Sequence, residues 1–246
     1  MMKKNNIEIF RKGFSFAVDG PGNRLVYHLC GCNFRCPWCS NPDHACGGQA
    51  ASLCTTITAA EIMQEAMGAK PLFFSGGGVT FTGGEPTVQF EALREALAGL
   101  RAAGVHTCME SNASHPRLPE LFPLIDFLIL DCKHYDEALH IKWTGESLAP
   151  VLANIRIAAK EREQLLVRIP LVGGVNASPE DARGFAALLP FLAGAFPVEL
   201  LRYHEYGKPK WEKAGMEYTM REAEVSPEEA KGFAEILRDA GVEVIG

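Results

Sequence analysis

At 246 residues, with 47% apolar and 22% charged side chains, the chain is long enough to bury a sizeable core and has the make-up of an ordinary globular protein. A net charge of −6 without any Lys/Arg block excludes nucleic-acid binding driven by the global field. No stretch reaches the ~18 apolar residues needed to span a bilayer, and residues 7–12 are too short and too charged for a signal-peptide core. The chain therefore reads as cytoplasmic, with neither nucleic acid nor membrane as a partner. Its eight cysteines are then expected to be thiols, metal ligands or buried hydrophobes rather than disulfides.

In chain order, Asp19-Gly20-Pro21-Gly22-Asn23 carries turn chemistry, and Leu25 to Cys30 reads as a first buried strand. Residues 40–57 are small and polar, without periodicity, and read as a loop. Thr58 and Glu61 form a capping box that opens a helix with Ile62, Ala66 and Met67 on one face. Ser75 to Gly78 breaks the chain before a strand over Val79–Thr82. A helix follows from Val88 to Ala103, with Phe90, Leu93, Leu97 and Leu100 at helical spacing and Gly104 as its stop. Strands are expected at Val105–Glu110, Asp126–Asp131, Leu165–Leu171 and Val198–Tyr203, with a terminal one at Val242–Ile245. Helices are expected over Leu148–Glu161, after Ser178-Pro179, and after Ser226-Pro227 with Phe233, Ile236 and Leu237 inward.

This alternation predicts an α/β fold with parallel strands built from βαβ units, either an open doubly wound sheet or a partial barrel with outer helices. No linker interrupts it, so residues 1–246 are expected to form one domain. In both architectures the site lies beyond the C-terminal ends of the strands. The groups placed there have chemical character. After the first strand come Cys32, Cys36 and Cys39, spaced C-x3-C-x2-C; after the second, Gly83-Gly84-Glu85. The later strand ends supply Glu110, Ser111 and Asn112, then Asp131 and Lys133, then Arg168 and His204. Three clustered thiolates suit a metal centre with one position open. A closed zinc site remains the alternative, with a fourth ligand from Cys30, His44, Cys46 or Cys54. The paired glycines before Glu85 suit close approach of backbone to a ligand.

The cysteine trio with Trp38 before its last member, followed by Gly83-Gly84-Glu85-Pro86, resembles the radical S-adenosylmethionine superfamily. Asp19 to Arg24, Ser40-Asn41-Pro42, Leu130-Asp131-Cys132-Lys133 and Leu200 to His204 narrow the resemblance to glycyl radical enzyme activating enzymes, of the pyruvate formate-lyase activating kind. That resemblance implies a partial (β/α)6 barrel. It implies one [4Fe–4S] cluster on Cys32, Cys36 and Cys39, in a loop spanning 30–41, with S-adenosyl-L-methionine on the open iron. The reaction implied is reductive cleavage of that cofactor and removal of hydrogen from a glycine Cα of a partner glycyl radical enzyme. Flavodoxin or ferredoxin would be the electron donor, and the chain would act as a monomer. Gly83, Gly84 and Glu85 would bind the methionine amino group. Lys133 and His204 would contact the methionine carboxylate and ribose, with Ser111, Asn41 and Arg168 at the pocket border and Trp38 near the adenine. Asp19 would seat the partner's glycyl loop. A small monovalent cation is implied near the methionine carboxylate, where this chain has Glu110 and Asp131. The inserted ferredoxin-like segment of many relatives is missing, since residues 40–57 hold only Cys46 and Cys54; Cys30, Cys108 and Cys132 are expected as buried hydrophobes. A small-molecule enzyme resembling 7-carboxy-7-deazaguanine synthase is the rival within the superfamily.

Overall fold

A computed structural model describes residues 6–42, 54–213 and 215–246. Its chain divides into two compact units. The first comprises residues 1–33, 43–111 and 117–129, and the second residues 34–42, 112–116 and 130–246. The fold is mixed α/β with a mostly parallel sheet, as the strand–helix rhythm predicts.

In the first unit the strands are β1 (Asn6–Phe16), β2 (Asn23–Leu29), β3 (Thr55–Thr58), β4 (Gly78–Gly83) and β5 (Thr107–Ser111), in the order β3-β1-β2-β4-β5. β2, β4 and β5 run parallel, with Leu29 opposite Gly83 and Phe81 opposite Met109. β1 and β3 are added antiparallel at one side, and sequence reasoning found neither. Thr58 caps α1 (Ala59–Ala69) through the expected box with Glu61. α1 buries Ala59, Ile62 and Ala66, whereas Met67, expected inward, is exposed. One helical step past Ala66 turns its side chain about 100° off the buried line. α2 (Phe90–Ala102) buries Phe90, Leu93, Leu97 and Leu100, as the spacing predicts. Each such buried Leu or Phe contributes about 2 kcal/mol by leaving water.

A fully buried Arg24 sits beneath the Asp19–Asn23 turn. Its guanidinium donates to Thr80 Oγ1 (2.6 Å) and to the carbonyls of Pro21, Gly76 and Val79 (3.0, 3.2 and 2.8 Å). These acceptors offset the desolvation of the cation, which still holds its pKa below the ordinary arginine value.

β6 (Phe127–Asp131) begins in the first unit and ends in the second, which continues with β7 (Leu165–Leu171), β8 (Val198–Arg202) and β9 (Val244–Ile245) in that order. β8 is parallel to β7 and β9. α3 (Glu137–Thr144) and α4 (Leu148–Glu161) follow β6, and α5 (Pro179–Leu188) follows β7. After β8 come a short α6 (Lys208–Lys213) and α7 (Pro227–Asp239). α4 buries Leu148, Val151, Ile155 and Ala158. Phe185 of α5 meets Phe233 of α7 with ring centroids 6.0 Å apart. No described helix is long and apolar enough to cross a membrane.

Candidate functional site

The first unit carries Cys32 and the Gly83-Gly84-Glu85 turn. Gly84 presses directly on the chain entering the cysteine loop: a Cβ there would lie 2.0 Å from the Gly31 carbonyl oxygen. Its N–H donates to Leu29 O (2.9 Å), and the Glu85 N–H donates to Gly31 O (2.7 Å). Gly83 has φ +117, and a Cβ there would meet Leu29 N at 2.5 Å. The glycines thus serve an approach of backbone to backbone, which ties the turn to the residue just before Cys32. Glu85 is buried, and its Oε1 accepts from Thr87 N (3.0 Å), Thr87 Oγ1 (2.6 Å) and Ser111 Oγ (2.9 Å). The carboxylate is held in one orientation by groups from two strand ends. Glu110, in the same strand end as Ser111, accepts from Thr82 Oγ1 at 2.7 Å. Asp19 is half-buried, its carbonyl accepting from Thr80 Oγ1 (2.7 Å).

Cys30 corrects the expectation that the cysteines outside the trio are unpaired. It is buried, but it forms a disulfide with Cys54. A separation of 24 residues brings the loop back to the end of β2 through β3, an antiparallel pairing that the polar Thr55–Thr58 run did not announce. Cys108 and Cys132 are free and buried, as expected. The pairing removes Cys30 and Cys54 as fourth ligands of a zinc site; His44 and Cys46 lie outside the described residues.

The second unit holds Cys36 and Cys39, linked by a turn in which the Cys39 N–H donates to Cys36 O (3.1 Å). The Asn41 N–H donates to Cys39 Sγ (3.3 Å). Asp131 and Lys133 form an ion pair at 2.7 Å, close enough to Cys36 for both to act on its thiol. Burial pushes that thiol up to about 12; the Lys133 ammonium opposes the rise, and Cys39 and Asp131 add to it. Trp38 packs 6.2 Å from Trp143 over the cluster of Val172, Val175, Met220 and Ala223, with Tyr203 and Tyr218 beside it. Arg168 pairs with Glu199 at 2.5 Å. His204 stacks on Tyr206 at 4.3 Å and accepts the Tyr206 N–H on Nδ1, which leaves Nε2 as its N–H when neutral. Burial holds the His204 pKa below the ordinary value. Asn112 accepts from Ser114 N and Oγ, an Asx turn at the strand end.

Several residues of this unit escaped sequence reasoning. The buried Asn176 donates to the carbonyls of Lys133 and Pro170 and accepts from Val172 N, each at 2.8 Å, so it fixes the chain at Lys133. The buried His140 donates through Nδ1 to Glu146 O (2.7 Å), and its ring meets Phe34 of the cysteine loop edge-on at 5.5 Å. Its Nε2 is buried without a partner. The Arg35 N–H donates to Thr144 O (2.8 Å).

The chain matches the radical SAM superfamily model over residues 26–186. It is 33% identical over 222 residues to a pyruvate formate-lyase-activating enzyme of Staphylococcus epidermidis, covering 87% of each chain. The chain belongs to the radical SAM superfamily. Among solved structures it is similar to a domain of pyruvate-formate lyase-activating enzyme from Bacteroides vulgatus, with TM-score 0.55 and 28% identity over 69% of this chain and 98% of that one. A radical SAM methyltransferase from Sphaerobacter thermophilus shares the fold, with TM-score 0.65 and 16% identity over 94% of this chain and 67% of that one. The expected α/β partial-barrel class is the one these structures share, and the chain is a radical SAM enzyme of the activating type.

The donor set of this radical SAM chain fits an iron–sulfur cluster. Cys32, Cys36 and Cys39 are not in disulfides. A thiol as buried as Cys36 becomes a thiolate most readily when a bound cation compensates the charge, and thiolates are what iron–sulfur centres take. Among the described residues no three Cys, His, Asp or Glu side chains are drawn together around a point fit for a single ion.

Proposed function

We propose that this chain is an activase that places a radical on a separate glycyl radical enzyme. A [4Fe–4S] cluster held by Cys32, Cys36 and Cys39 would supply the electron that cleaves S-adenosylmethionine to methionine and a 5′-deoxyadenosyl radical, which takes a hydrogen atom from a glycine Cα of the partner. Glu85 binds the methionine amino group with a carboxylate whose orientation Thr87 and Ser111 already set. Gly83 and Gly84 anchor that turn. Lys133, paired with Asp131, takes the methionine carboxylate. His204 offers its Nε2 proton toward the ribose, Trp38 covers the adenine, and Asn41 and Arg168 border the pocket. Asp19, on the turn held by Arg24, seats the partner's glycyl loop. A flavodoxin or ferredoxin serves as electron donor, and the chain works as a monomer under anaerobic conditions.

The observation that carries this reading is the 33% identity, over 87% of both chains, to a relative named for activating pyruvate formate-lyase. The test is anaerobic reconstitution with iron and sulfide, reduction, and incubation with S-adenosylmethionine and a pyruvate formate-lyase. Electron paramagnetic resonance should show a glycyl doublet on the partner. Formation of 5′-deoxyadenosine without a doublet on any glycyl radical enzyme tried would overturn the activase reading in favour of a small-molecule or other peptide substrate.

A further inference from the structure

The segment just beyond His204 closes on the far end of the cysteine loop, entirely within the second unit. Gly207 lies so near Cys39 that a Cβ there would sit 2.4 Å from the Cys39 carbonyl oxygen. On α6, Lys210 Nζ donates to Ser40 O and to Asn41 Oδ1, both at 2.7 Å. Next to it, Trp211 Nε1 donates to Cys39 O at 2.9 Å. Three successive residues after the last turn of the cysteine motif are thus held by two side chains about 170 positions later. Trp211 is itself set by Tyr218, whose ring it meets at 5.8 Å, while the Tyr218 hydroxyl pairs with that of Tyr203. A short, polar helix with no buried residue of its own would have little reason to hold this position, except through these bonds.

What the brace fixes is chemically specific. Residues Cys39 to Asn41 fold so that the Asn41 N–H points at Cys39 Sγ, 3.3 Å away. A hydrogen bond to a ligand thiolate draws electron density off the sulfur. It thereby eases reduction of an iron–sulfur centre, one of the main levers by which a protein sets cluster potential. The Lys210 ammonium, fixed on the two residues that carry this N–H, acts in the same direction.

We propose that Lys210 and Trp211 are positioning residues for the third cysteine: by clamping Cys39, Ser40 and Asn41 they keep the Asn41 N–H on the Cys39 sulfur and so set how readily the cluster is reduced. The proposal rests on the reading in which Cys39 holds a cluster. It assigns the Gly207–Trp211 segment to the redox side of the reaction rather than to cofactor contact.

The test uses the full chain reconstituted anaerobically with iron and sulfide, as wild type, Lys210→Met, Lys210→Arg, Trp211→Phe and the control Lys208→Met. Lys208 is half-exposed on the same helix and pairs with Glu205, three residues away. Iron per chain, the thermal midpoint of the metal-free chain and an electron paramagnetic resonance redox titration are read for each. At the potential where the wild type is half reduced, the ratio of reduced to oxidised cluster should fall by a factor of about three to ten in Lys210→Met and Trp211→Phe, the worth of one hydrogen bond. Lys210→Arg should recover most of it, and Lys208→Met should titrate with the wild type. Trp211→Phe keeps the aromatic packing and loses only the N–H, so it carries the test if Lys210→Met folds poorly. A wild type that loads no cluster would overturn the functional reading, and this proposal with it. A wild type that loads, with both variants reducing at its potential, would overturn the proposal alone.

Discussion

Gly84→Ala is the sharpest local perturbation of the first unit. The added Cβ would start 2.0 Å from Gly31 O and 2.8 Å from Gly31 C, against an ordinary contact distance of about 3.4 Å or more. Both partners are backbone, so no side chain can swing aside. The two chain segments must separate by more than an ångström, which lengthens the Gly84 N–H to Leu29 O and Glu85 N–H to Gly31 O bonds beyond hydrogen-bond range. Two buried backbone bonds at about 1 kcal/mol each, with the residual strain, give a loss of about 3 kcal/mol. Glu85 moves with its backbone and leaves the Ser111 hydroxyl. Urea unfolding of the metal-free protein measures this, with Gly13→Ala as the control because nothing lies within 4 Å of a Cβ there. A Gly84→Ala loss no greater than that of Gly13→Ala would refute the claim that the glycine is required by close backbone approach.

Three further outcomes follow from the same geometry. Asn176→Ala removes a fully buried amide with three bonds to the chain around Lys133 and β7, and should cost about 3 kcal/mol, read by urea unfolding. Burial first, then the Lys133 charge, keep the His140 pKa below the ordinary 6.5, against the pull of Glu146 O. As pH falls below 6.5 the unfolded chain therefore takes up a proton that the folded chain refuses, so stability drops toward acid. His140→Gln should flatten that slope by up to about 1.4 kcal/mol per pH unit, and an unchanged slope would assign the acid sensitivity elsewhere. Glu85→Gln keeps the shape of the cap but loses the charge. It should leave unfolding within about 1 kcal/mol of wild type while weakening S-adenosylmethionine binding in equilibrium dialysis at least about tenfold.

What the sequence made legible follows from what leaves a periodic mark. The β7 and α4 boundaries are those that the apolar spacing gives, the Thr58–Glu61 capping box was readable as such, and Ser178-Pro179 and Ser226-Pro227 marked two further helix starts that the structure closes as capping boxes. β1 left little mark because most of it is exposed along an antiparallel edge, with Phe14 and Phe16 facing outward. β3 is four residues in a polar run. α3 buries His140 and Thr144 rather than an apolar stripe, and α6 buries nothing, so neither shows a helical apolar period. At the site, the cysteine spacing and the Gly83–Glu85 turn identified the family, since those residues need each other at short range. The contacts of Asn176 with Lys133, of His140 with Phe34, and of Lys210 and Trp211 with residues 39–41 span long separations, which no local pattern encodes. The glycine pair was read as making room for a ligand; it also makes room for the strand leading into the cysteine loop, a neighbour far off in sequence.

The measurement that bears most directly on the central claim is 5′-deoxyadenosine formed per chain after anaerobic reconstitution, reduction and addition of S-adenosylmethionine. Cleavage is expected in the wild type, lost in Cys32→Ala, Cys36→Ala and Cys39→Ala, and retained in Cys54→Ala, whose partner Cys30 lies outside the ligand set. A wild type that carries stoichiometric zinc without iron and releases no 5′-deoxyadenosine would contradict the account.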